Sequence, residues 1–184
     1  MGFDLLLIGI ILLANPFYVA TDLIAAVIIS VAIKGGEEML RGFKKARLFS
    51  YGLMAIGAAE IAFKYIFPNQ TALGIFEVWR YGLLIPIAIY VSAGIADYAL
   101  ITENASLYRR TESVKNPIYV TFIAAAIAKA AATAFPTLEM LGFLMSIAAS
   151  TALVILATVV YKCKASGGEL QDDENYENDD ENMS

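Results

Sequence analysis

Four apolar stretches, each long enough to cross a bilayer, constrain this chain more than any other feature of its sequence. They run Leu48 to Phe67 (20 residues), Tyr81 to Ile101 (21), Ile118 to Phe135 (18) and Met140 to Tyr161 (22). At about 1.5 Å per residue, each covers the roughly 30 Å of hydrocarbon in a membrane. Backbone groups in lipid must satisfy one another, and no alternating barrel pattern is present, so helix is the state these runs dictate. Pro68-Asn69, Asn116-Pro117 and Pro136-Thr137 punctuate the chain where the runs stop.

Composition agrees. Hydrophobic residues make up 59% of the 184 and the mean hydropathy is +0.64, well above the roughly 45–50% of a soluble domain. The formal net charge of −5 hides a division, because eight of the 18 acidic residues fall between Glu169 and Glu181 and none of the 13 basic residues do. Residues 1–168 therefore carry 13 basic against 10 acidic residues, a balance of +3. The domain reading is a transmembrane helical domain over 1–164 and an acidic tail over 165–184. With one aromatic, Tyr176, the tail lacks the apolar surface to fold and is expected to be disordered.

The first apolar stretch differs from the rest. Phe3 to Ile33 is 31 residues, about 46 Å as one helix and too long for the core without strong tilt. Asn15-Pro16 interrupts it, and Thr21-Asp22 supplies a helix N-cap after the break. Two readings are open: one long kinked span, or a hairpin of short helices, Phe3 to Ala14 and Asp22 to Ile33. The fold class expected is thus all-α, a polytopic membrane helix bundle of four transmembrane helices plus an N-terminal helical hairpin or fifth span.

Lys and Arg between the spans set the orientation. The Lys34 to Arg47 connection has five, Pro68 to Trp79 none, Thr102 to Pro117 three, Pro136 to Glu139 none, and Lys162 and Lys164 follow the last span. The alternation predicts a multi-pass protein of the cell membrane with basic loops and C-terminus cytoplasmic. A hairpin would place the N-terminus inside as well, a single kinked span outside. Glu37 to Arg47 sets Met39, Leu40, Phe43 and Ala46 on one helical stripe, as in a short helix lying on the inner membrane surface or an ordinary helical connection.

The counts also exclude chemistry. Without His there is no Ser-His-Asp triad and no imidazole ligand. A lone cysteine, Cys163, excludes an internal disulfide and any cysteine cluster for a metal; it reads as a spectator thiol beside Lys162 and Lys164, or as a reactive one. Gly35-Gly36 and Gly167-Gly168 are isolated pairs without the strand a phosphate loop requires. No metal, cofactor or catalytic residue is expected, and no nucleic-acid partner.

Charges inside the spans are costly, at least about 2.5–3.5 kcal/mol at the bilayer centre, and mark either pathways or internal pairs. Glu60 lies about 10 Å in from the outer end of its span, with Lys64 one turn further out. Lys129 falls at nearly the same depth on another helix, and Asp22 joins this layer if the first stretch is a hairpin. These four residues form either an outward-facing polar pocket for an ion or small solute, or a structural ion pair with Lys64 snorkelling to the interface. Asp97, in the inner third of its span with Pro86 in the same helix, is a cation or proton site or an acceptor for Arg109 and Arg110. The small residues of Phe122 to Ala134 and of Gly142-x-x-x-Ser146 suit close helix packing, within the bundle or in a homo-oligomer.

Asn15-Pro16, Asp22 and the run Phe43 to Arg47 (FKKAR) together resemble a loose group of small, uncharacterised polytopic membrane proteins of Firmicutes. The likeness spans about the first 50 residues, and Leu23 to Ser30 (LIAAVIIS) lacks the Pro-Asp and Gly-Tyr pairs of the group's second helix. It implies the hairpin and carries no activity. The role these features support is a non-enzymatic accessory or scaffold component that meets the lipid bilayer and a protein partner. The alternative is a small transporter or channel subunit with an outward-facing polar site.

Overall fold

The computed structural model describes the backbone of residues 2–15, 19–36, 40–66 and 70–181, with side chains described except at 19, at 70–72 and beyond 165. Among these the secondary structure is entirely helical: α1 (Phe3–Leu13), α2 (Val19–Lys34), α3 (Arg41–Ile66), α4 (Gln70–Ile101), α5 (Ala105–Ala134) and α6 (Glu139–Glu181), with one 3₁₀ turn at Pro136–Leu138. Four helical segments are long and apolar enough to cross a membrane: Arg41–Ile66, Leu73–Ile101, Ala105–Ala134 and Pro136–Ala165.

Each helix packs against the next, and α1 returns to α6, so the six form a closed ring of antiparallel neighbours. The registers show how each step is made. The backbone of α1 approaches α2 so closely that a Cβ on Gly9 would lie 2.6 Å from Ile29 Cγ1, and the Gly2 amide donates to Ala32 O at 3.4 Å. These contacts resolve the open question at the N-terminus. Phe3–Leu13 folds back on Val19–Lys34 as a hairpin, and Leu6, Ile10 and Leu13 of one arm share the buried core with Ala25, Ala26 and Ile29 of the other. By helical rise the arms are about 16 and 24 Å, shorter than the four long helices beside them.

Between α3 and α4 the tightest contact is Gly42 on Gly94. A Cβ on Gly42 would sit 2.6 Å from the Gly94 amide nitrogen, and one on Gly94 would strike the Phe43 ring at 2.5 Å. Phe49 stacks on Tyr90 with ring centroids 5.6 Å apart, and Lys45 Nζ lies 5.1 Å from the same ring. This overturns the surface-helix reading of Glu37 to Arg47. Arg41 to Arg47 are the first turns of α3, and Leu40, Phe43 and Ala46 are buried in the bundle core instead of resting on lipid. The stripe is real, but the protein covers it; Met39 lies outside the described residues.

The polar ends are helical as well. α4 begins eleven residues before Tyr81, and α5 begins thirteen before Ile118, capped by the Asn104 side chain accepting from the Leu107 amide at 2.9 Å. Glu103, with φ of 55°, makes the reversal between them. α4 runs unbroken through Pro86, and α5 through Pro117. Gly142 lets α6 approach α5, a Cβ there meeting Ala132 Cβ at 3.2 Å, so the small residues of this pair serve packing within the bundle. The backbone of α6 continues as helix to Glu181, whereas the side chains of the expected disordered tail lie beyond the described set.

Candidate functional site

The polar layer forms where α2, α3 and α4 meet, near the 66–70 end of the bundle. α2 starts at Val19, so Thr21 and Asp22 lie inside its first turn and do not cap it; Glu60 lies six residues before the end of α3, and Arg80 lies ten residues into α4. Leu23 rests against Gly57, and this register sets Asp22 beside the α3 turn that carries Glu60. All three are buried: Asp22 at 1% exposure, Glu60 at 6% and Arg80 at 9%.

Arg80 is the centre of the group. Its Nη2 donates to Asp22 Oδ1 at 3.0 Å, and its Nε lies 2.5 Å from Asp22 Oδ2 as an ion pair, though not aligned as a hydrogen bond. The fork is the arrangement in which a planar guanidinium grips a carboxylate with two nitrogens. The guanidinium also lies 5.7 Å from the Tyr81 ring centroid. Glu60, buried in the same layer, has no hydrogen bond or ion pair among the described residues.

The sequence layer is therefore split in two. Asp22 and Glu60 do come together, but around Arg80 and without Lys129. Lys129 Nζ reaches Glu77 Oε2 at 2.8 Å, one turn before Arg80 on α4. That pair lines a cleft of about 390 Å³ with Gly74, Ala132, Thr133, Pro136 and Glu139, between α4, α5 and the turn into α6. Gly74 brings the two helices together at its floor, where a Cβ would meet Thr133 at 2.9 Å. Lys64 is exposed on α3, one turn beyond Glu60, and no ion pair joins the two among the described residues.

Asp97 stays apart from these groups. It is half-buried near the far end of α4, and among the described residues no ion pair joins it to Arg109 or Arg110, both exposed. At that same end Lys164 Nζ holds Asp4 Oδ1 at 2.6 Å, fixing the start of α1 to α6. Cys163, one residue earlier, is fully buried, which suits a packing thiol and leaves no access for a reagent or a lipid-transfer enzyme. No group of three or more Cys, Asp or Glu side chains is placed to hold a metal ion among the described residues.

Two functional residues escape a reading by apolar runs. Arg80 falls between the Trp79 that ends the connection read from Pro68 and the Tyr81 that begins a span, and Glu77 sits inside that connection. A guanidinium one residue outside a hydrophobic run was the available signal. Extending α4 back by helical period places Glu77 and Arg80 three apart, on adjacent faces. No family model, curated protein or solved structure matches this chain.

Proposed function

We propose that this chain is a multi-pass protein of the cell membrane that acts as a non-enzymatic accessory or scaffold component. The observation that carries this reading is how its membrane charges are used. Asp22–Arg80 joins α2 to α4, Glu77–Lys129 joins α4 to α5, and Asp4–Lys164 joins α1 to α6. Each pair ties one helix to another, the use expected of a body built to hold its shape and present its ends.

The positive-inside bias supports the threading. The Lys34–Arg47 segment, the α4–α5 turn, the Asp4–Lys164 contact and the acidic tail then face the cytoplasm, and the Glu77–Lys129 cleft faces outward. The tail and basic ends are the surfaces offered to a protein partner. Deleting Glu169 to Ser184 tests this: the membrane body should keep its melting temperature and lose the protein that co-purifies with it.

A second reading has its own support in the outer cleft of about 390 Å³, whose Glu77, Lys129, Thr133 and Glu139 would suit a small polar solute in a transporter or channel subunit. Flux through proteoliposomes that survives tail deletion and fails in Lys129→Gln would replace the scaffold reading with this one.

A further inference from the structure

Three buried charges in one layer do not balance. Two carboxylates, Asp22 and Glu60, face one guanidinium, and Asp22 takes both of its contacting nitrogens. Glu60 is left at 6% exposure with no hydrogen bond or ion pair among the described residues. The charged groups that face it are Asp22 on α2, Arg80 and Glu77 on α4, and Lys64 on its own helix. Glu77 is engaged by Lys129, and Lys64 is exposed on the outer turn. An ionised carboxylate in such a place is among the most costly groups a membrane protein can hold, and it is neutralised by a partner or by a proton.

We propose that Glu60 is a proton-binding carboxyl that shares Arg80 with Asp22. With a proton on one Glu60 oxygen, the layer holds one carboxylate and one guanidinium, and the Asp22–Arg80 fork closes. When that O–H bond breaks and the proton passes to water at the outer end, the new carboxylate competes with Asp22 for the same guanidinium. Since Asp22 stands at the head of the hairpin and Glu60 on α3, the proton couples the hairpin's grip on α4 to the pH of the outer medium. The site goes beyond the scaffold role and holds for either function proposed above.

Infrared spectroscopy of the full chain in lipid nanodiscs tests the proposal through the carbonyl stretch of a protonated carboxyl. At neutral pH the band should be present in the native protein. It should disappear in Glu60→Gln, change frequency in Glu60→Asp, and remain in Glu77→Gln and Asp97→Asn. No band at neutral pH in the native protein would overturn the proposal without any variant. So would a band that survives Glu60→Gln and vanishes in Asp22→Asn, or one abolished by sodium at fixed pH. Should Glu60→Gln not fold, the frequency change in Glu60→Asp, set against an unchanged Asp97→Asn, decides.

Discussion

Neutralising Arg80 should destabilise the protein more than neutralising Asp22, and the reason lies in the 2:1 balance around it. The Arg80 side chain is 11% exposed and that of Asp22 2%. Removing one member of a buried ion pair costs about 3–5 kcal/mol, because its partner is left charged and unpaired. Arg80→Met leaves the buried Asp22 carboxylate without its cation and beside a second carboxyl, Glu60, so its loss belongs at the top of that range. Asp22→Asn leaves the guanidinium with Glu60 as a second acceptor, and about 1–3 kcal/mol is expected, the cost of an incompletely satisfied polar group. For a chain of this size, about 2–4 °C accompanies each kcal/mol, so Arg80→Met should lower the melting temperature by roughly 10–20 °C. The double variant should recover part of that loss, since it removes both charges of the pair. Thermal unfolding in one detergent, followed by circular dichroism and by retention of the monodisperse peak, measures all three. Asp22→Asn falling as far as Arg80→Met, or a double variant no better than the worse single one, would refute the reasoning.

Other consequences can be checked singly. Gly42→Ala should cost about 1–3 kcal/mol, because the added methyl meets α4 backbone that cannot move aside, whereas Gly82→Ala, with nothing within 4 Å, should be neutral or slightly stabilising in the same melting assay. Glu77→Gln should change stability by at most about 1 kcal/mol, as its pair with Lys129 is partly exposed and screened by salt. Buried Cys163 should resist a maleimide in the folded protein and react only once denaturant is added, with mass spectrometry as the readout.

The four long helices and their antiparallel order were legible because hydropathy acts locally, whereas Asn116-Pro117, read as a joint, lies inside α5, which runs through it unbroken. What was not legible followed from treating the end of an apolar run as the end of a helix. Arg80 and Glu77 belong to α4, whose helix begins eleven residues before the apolar run counted from Tyr81, and without them Glu60 appeared to face Lys129. Depth along a helix can be counted from sequence; the direction a side chain points depends on register, which Gly57 on Leu23 and Gly74 near Thr133 set. The stripe of Leu40, Phe43 and Ala46 misled differently. Its period is that of any amphipathic helix, and only the Gly42–Gly94 contact shows that protein, and not lipid, covers it.

The hairpin sets the start of α1 at the Lys164 end of the last span, and the proposed threading makes that end cytoplasmic. Single cysteines at Gly2, Ala105 and Thr137, in a Cys163→Ala background, test it in intact cells with a membrane-impermeant thiol reagent. The account predicts labelling at Thr137→Cys from outside, and at Gly2→Cys and Ala105→Cys only after permeabilisation. Labelling of Gly2→Cys from outside while Ala105→Cys stays protected would contradict the hairpin, and labelling of Ala105→Cys from outside would contradict the threading.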